Sequence, residues 1–127
     1  MMIYSNYNLF LDDDRIPTKV VWVDLPKVPW TIVKNYNEFV STIEKNGLPK
    51  IISFDHDLAN EHYSQLHNID YSKFVEKTGY DCAKWLCNYI IEHECPSLPE
   101  YYVHTMNPAG GKNIRTYLEN FKRVYGK

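Results

Sequence analysis

Three short apolar runs in this sequence end abruptly in side chains that carry acid–base and ligand chemistry. Tyr7 to Leu11 (YNLFL) gives way to Asp12-Asp13-Asp14, Lys50 to Phe54 (KIISF) to Asp55-His56-Asp57, and Tyr101 to His104 (YYVH) to Thr105 and Asn107. Asp12, Asp13, Asp55 and Asp57 are carboxylates that repel one another when ionised together, so bringing them to one place requires a compensating charge. A hard divalent cation, Mg2+ first and Mn2+ second, offers it through oxygen ligands and leaves coordination positions for water and phosphate oxygens. His56 and His104 belong to the side-chain type that ordinarily titrates near neutrality, which suits proton transfer to and from oxygen. Gly110-Gly111 leads into the last helical period, and amides at a helix N-terminus seat anions. Lys112 and Arg115 stand beside that turn and add positive charge.

Taken singly, these residues have plainer uses. An Asp after a strand often forms a turn or caps a helix, and Asp14 fits that use. Asp81 fits a helix cap. His62, His67 and His93 read as surface residues, and Trp22, Trp30 and Trp85 as packing of core or crossover. Beyond its first turn, the basic bias of the last helix reads as a solvated face. What calls for a site is the coincidence at three strand ends.

The elements that position these residues follow from the hydrophobic pattern. Short apolar runs alternate with helical periods, which predicts an α/β sheet with mostly parallel strands. Strands are expected over Tyr7 to Leu11, Trp30 to Val33, Lys50 to Phe54 and Tyr101 to His104, with a short edge strand over Val20 to Val23. Asn35 and Glu38 form a capping box for a helix that Phe39, Val40 and Ile43 turn inward and that Gly47 and Pro49 stop. Thr78-Gly79-Tyr80-Asp81 opens a second helix, with Ala83, Leu86, Cys87 and Ile90 at i, i+3, i+4 and i+7. After Gly110-Gly111 a last helix carries Ile114, Tyr117, Leu118, Phe121 and Tyr125 on one face. Pro17, Pro26 and Pro29 forbid a regular helix between the first two core strands, so an irregular crossover replaces it. Leu58 to Lys77 is polar, rich in His and Tyr, and reads as a lid or insertion. In an open parallel sheet the ligand site lies beyond the carboxyl ends of the strands, where the reactive residues gather here.

Composition bounds the rest. The chain has 127 residues, one domain's length, with 44% apolar and 24% charged residues, the balance of an ordinary soluble globule. A disordered tail, a collagen-like rod and a disulfide-built miniprotein are excluded. With a formal net charge of −2, the surface is a poor non-specific partner for duplex nucleic acid or an acidic membrane. Cys82, Cys87 and Cys95 include no CxxC pair and read as small buried apolar residues of a reducing compartment. MMIYSNYN has neither the basic start nor the apolar run of a signal peptide, and no stretch approaches the ~20 residues of a membrane span. A cytoplasmic protein is expected.

The order strand–Asp-Asp, strand–Asp, strand–Thr resembles the receiver domain of two-component signalling, with Asp12 and Asp13 as the acidic pair, Asp55 as the acceptor and Thr105 as the hydroxyl. The missing first helix, the two histidines and the lack of a further strand with the receiver Lys depart from it. LFLDDDRIP, VVWVD, IISFDHDL, TGYDCAKWL and VHTMNPAGGKNI resemble, in order, the motifs of the cyclic-phosphate processing receiver family. Thr105 stands where that pattern has Ser, Gly111-Lys112 where it has Arg, and the lid is longer. The resemblance implies a receiver-like, flavodoxin-like three-layer sandwich with a sheet of about four to five strands. It implies site roles for Asp12, Asp13, Arg15, Asp55, His56, Asp57, His104, Thr105 and Asn107, and for Tyr80 and Asp81.

The activity so implied is hydrolytic opening of a cyclic phosphate on a nucleotide, RNA end or ribose derivative. Asp12, Asp13 and Asp55 would hold the divalent cation. One of His56 and His104 would activate water and the other protonate the leaving ribose oxygen, with Asp55 and Asp57 beside them. Arg15, Thr105, Asn107, Tyr80, Lys112 and Arg115 would hold the substrate, and lid tyrosines could stack on a base. Two histidines can also run such chemistry without metal. The competing readings are a pocket that sequesters a cyclic nucleotide without turnover and, third, a phospho-acceptor switch on Asp55.

Overall fold

Leu9 and Leu11 point to one side of the first strand and Phe10 to the other, and this alternation divides the molecule into layers. The structure, a computed structural model, describes residues 5–58 and 77–125. The expected lid therefore lies outside the described residues except for its two ends. Strands β1 (Asn8–Leu11), β2 (Thr31–Val33), β3 (Ile51–Phe54) and β4 (Glu100–Val103) form one parallel sheet in the order β2-β1-β3-β4. Between them run helices α1 (Tyr36–Asn46) and α2 (Gly79–Glu92), and α3 (Pro108–Tyr125) follows β4.

Leu9, Leu11, Val33, Ile52, Phe54 and Val103 form one buried cluster with Phe39 and Ile43 of α1, Leu86 and Ile90 of α2, and Ile114 and Leu118 of α3. The three described helices thus cover one face of the sheet. The crossover between β1 and β2 covers the other, where Trp30 meets Phe10 edge-on with ring centroids 6.0 Å apart. This is an α/β sandwich of the receiver-like, flavodoxin-like kind, its third layer built from irregular chain and a single 3-10 turn at Pro17–Lys19. The edge strand expected over Val20 to Val23 does not form. Val20 closes the Pro17 turn through its N–H, Val21 is 84% exposed, and Trp22 is held by its side chain instead of by a backbone ladder. Prolines on both sides leave too little regular backbone for a strand there.

Local signals account for the helix bounds. The Asn35 side chain accepts from the Glu38 N–H at 2.8 Å, and Glu38 accepts from the Lys34 N–H. Gly47 ends α1 at φ 87°, a conformation that costs other residues more than glycine. Thr78 and Asp81 close a full capping box on α2. Thr78→Ala should lower stability by about 1 kcal/mol in urea unfolding; an unchanged midpoint would contradict that role. Helix α3 begins at Pro108, four residues earlier than expected, so that Gly110 and Gly111 lie within its first turn. Proline is well suited to the first helical position, and Asn107 caps the turn by accepting from the Gly110 N–H at 2.9 Å. The three cysteines are unpaired and buried, and burial pushes the Cys87 thiol up to about 12. No helix among the described residues is long and apolar enough to cross a membrane.

Candidate active site

Strand register brings the site together. Leu11 is paired with Phe54, and Phe54 with Val103, so the residue after each lies beside the others across three adjacent strands. Backbone bonds extend the ladder one step further, from Asp55 N–H to Leu11 C=O and from His104 N–H to Phe54 C=O. Ligand atoms of Asp12, Asp55 and His104 consequently all lie within 4.8 Å of one another, and all three residues are buried. The two-residue period of a strand sorts the remaining groups. Ser53 and Phe10 lie on the crossover face beneath this cluster. His56 and Thr105 turn toward the helix side and meet Gly110 and Gly111 of α3.

His104 is fully buried, stacked on Phe10 with ring centroids 4.5 Å apart. Its Nε2 lies 3.0 Å from Asp12 Oδ2 and its Nδ1 2.6 Å from Ser53 Oγ. A neutral ring with its proton on Nε2 satisfies both contacts, the Ser53 hydroxyl donating to Nδ1. The order Ser–His–Asp is that of a nucleophilic triad, but Ser53 has no exposed surface, so no substrate reaches it. Its role is to orient His104. A polar residue inside the apolar run KIISF is the one sequence signal for it.

Asp12 has several partners. Its Oδ1 accepts from the N–H groups of Asp14 and Arg15, both at 2.9 Å, so the side chain that forms this turn is that of Asp12. Arg15 Nη1 approaches Oδ2 at 3.6 Å. Burial alone would raise the Asp12 carboxyl, but hydrogen bonds from His104 and the two amides outweigh it and hold it below the usual range. Asp55 goes the other way. Burial and the neighbouring Asp12 charge raise it, only partly offset by the His56 N–H and the Thr105 hydroxyl. The donor atoms of Asp12, Asp55 and His104 are close enough together that they could hold a metal ion.

A second dyad stands at the rim. His56 Nδ1 lies 2.9 Å from Asp57 Oδ1, and the Asn107 amide donates to Asp57 Oδ2 at 3.1 Å. The bond from His56 holds the Asp57 carboxyl below its ordinary range, against slight burial and with help from Asn107. A Cβ on Gly110 would come within 2.4 Å of the His56 ring, so this glycine lets α3 pack directly on the imidazole. At Gly111 a Cβ would meet Thr105 Cγ2 at 3.0 Å. The glycine pair serves close packing inside the first turn, a use that its position before the helical period had suggested was an anion seat.

Above the cluster opens a cleft of about 380 Å³ lined by Asp13, Asp14, Arg15, Asp55, Asp57, Thr105, Met106 and Asn107. Most of the expected site residues thus meet here or directly beneath. Others do not. Arg115 lies along a groove beside β4, where its Nη2 donates to the Val103 carbonyl at 3.4 Å. Lys112 is exposed on α3, and Tyr80 packs edge-on against Tyr117 under Lys84. Proximity in sequence to a helix start placed these side chains near the site, but the helical rotation of α2 and α3 turns them elsewhere. Asp81 serves its capping box.

The profile of a family described as Cyclic-phosphate processing Receiver domain matches residues 7–120. No curated protein and no solved structure matches the chain.

Proposed function

The chain belongs to the family of cyclic-phosphate processing receiver domains, and from that premise we propose that its cleft opens a cyclic phosphate by hydrolysis. The observation that carries this reading is the meeting of Asp12, Asp55 and His104 donor atoms within 4.8 Å beneath a cleft that Arg15 also lines. The donors suit a hard divalent cation, because Asp55 is raised partly by the Asp12 charge and a cation would relieve that crowding. Asp12, Asp13 and Asp55 would hold it. Such an ion, Mg2+ or Mn2+, would polarise a phosphate oxygen and offset charge as it develops there.

The chain's own residues take the remaining roles. With Nδ1 committed to Asp57, His56 keeps Nε2 as the nitrogen that accepts a proton from water. As the water oxygen bonds to phosphorus, the bond from phosphorus to one ribose oxygen breaks. His56 returns the proton to that leaving oxygen, so the balance closes with a ring-opened monoester. Arg15 orients the phosphate oxygens, Thr105 holds Asp55, and Asn107 holds Asp57. His104, with both nitrogens engaged inside the protein, is a positioning residue for Asp12.

Phosphorus NMR with nucleoside 2′,3′-cyclic and 3′,5′-cyclic monophosphates, a cyclic dinucleotide and an ADP-ribose cyclic phosphate tests this, each with Mg2+ and with chelator. One resonance should convert to an acyclic phosphate and stop converting with chelator. A resonance that only broadens or shifts would indicate sequestration without turnover.

The raised Asp55 carboxyl also carries a stability prediction. A group raised on folding contributes stability below its ordinary value and loses it as pH rises through the raised value, so at neutral pH the ionised Asp55 destabilises the fold. Asp55→Asn should therefore raise the melting temperature near neutral pH. It should also abolish stabilisation by added Mg2+. A lower melting temperature, or an intact response to Mg2+, would contradict the crowding argument.

A further inference from the structure

Trp22 is left 39% exposed, which is an unusual position for the largest side chain in a small domain. Its ring is nevertheless fixed. The indole Nε1–H donates to the His104 carbonyl at 2.7 Å, tying the residue to the strand end that floors the site. With the polar edge committed inward, what the ring offers to solvent is aromatic surface. The Arg15 guanidinium carbon lies 5.2 Å from the ring centroid, and Arg15 Nη2 lies 3.5 Å from the sulfur of Met106, itself 62% exposed. Arg15 and Met106 both line the polar cleft. One arginine therefore links the polar cleft to an anchored aromatic shelf.

That layout matches a ligand whose phosphate and flat aromatic group are a short distance apart. We infer that Trp22 is a stacking platform for the base of a nucleobase-bearing cyclic phosphate, whose phosphate lies against Arg15. The inference rests on the reading of the cleft as a cyclic-phosphate site and narrows its substrate class, setting aside base-free sugar phosphates. Selectivity among bases should be weak, because every base has a stacking face and the indole has no hydrogen-bond donor left to read one.

The test compares adenosine 2′,3′-cyclic monophosphate with glycerol 1,2-cyclic phosphate, which has the ring but no base. Binding is measured by calorimetry and ring opening by phosphorus NMR. Trp22→Leu keeps an apolar cover over the His104 strand end and removes the aromatic face; Trp22→Tyr restores a face. Trp22→Leu should weaken the adenosine compound by about 5- to 100-fold in Kd and KM, the factor that base stacking supplies. The glycerol compound should be unaffected, and Trp22→Tyr should recover most of the loss. Equal weakening of both compounds, or none, would overturn the platform. If the wild-type protein binds the adenosine compound without opening it, the hydrolytic reading fails while the Trp22 comparison still decides the platform through Kd. Binding of neither compound overturns both.

Discussion

His56→Ala should lower the rate of the proposed cyclic-phosphate opening by about 10²–10⁴-fold, the range that a positioned general base contributes. The size follows from the geometry around the ring. Asp57 holds Nδ1 at 2.9 Å, Asn107 holds Asp57, and Gly110 lets α3 press on the imidazole, so its orientation is fixed before substrate arrives. Removing the ring also opens a small void against α3, which is why stability must be measured alongside rate. The variant should stay folded and bind the cyclic phosphate nearly as well as the parent protein, and added imidazole should restore part of the rate. A variant within a factor of a few of wild type would remove His56 from proton transfer. His104→Ala should look different, because its Asp12 and Ser53 contacts are structural: lower stability and weaker metal response should accompany any loss of rate.

The largest structural effect is expected at Gly79. A Cβ there would lie 1.7 Å from the backbone oxygen of Asp55 and 2.8 Å from its carbonyl carbon. No side-chain rotation can relieve a clash with backbone, so either α2 or the end of β3 must move. Gly79 also donates its N–H to the His56 carbonyl at 2.8 Å, so the displacement falls on the residues that carry Asp55 and His56. Gly79→Ala should therefore cost about 3 kcal/mol or more in urea unfolding and abolish ring opening even where folded protein is recovered. Gly111→Ala is the control. Its nearest neighbour is a Thr105 methyl at 3.0 Å, a side chain that can give way, so the loss should be smaller. Equal midpoints for Gly79→Ala and the parent protein would show that the close approach is not required.

The same positions show how far the sequence carried the argument and where it stopped. The core strands and caps were legible because each rests on local chemistry: apolar runs bounded by Asp, a Thr–Asp capping box, a glycine with positive φ. Convergence of Asp12, Asp55 and His104 was legible because parallel strands place their carboxyl ends together. What could not be read was the face each side chain takes, since that depends on register. In-register pairing of Leu11, Phe54 and Val103 puts Asp12, Asp55 and His104 on one set and His56 and Thr105 on the other. Two histidines that looked equivalent in sequence therefore differ in kind, one fully buried against Asp12, the other at the rim on Asp57. Ser53 was missed because a single polar residue in a strand has no partner until a neighbouring strand supplies it. The missing edge strand at Val20 to Val23 and the close packing at Gly110-Gly111 were not legible either. Flanking prolines deny the first its regular backbone, with Trp22 tied to His104 by its side chain instead, and the second depends on how α3 packs on His56.

The most direct test of the central claim is hydrolysis in water enriched in heavy oxygen, followed by phosphorus NMR of the product. Attack by water in this cleft predicts a monoester carrying one heavy oxygen on phosphorus, formed by the wild-type protein with Mg2+ and lost in His56→Ala. An unlabelled product, or a cyclic phosphate bound and returned intact, would contradict hydrolysis.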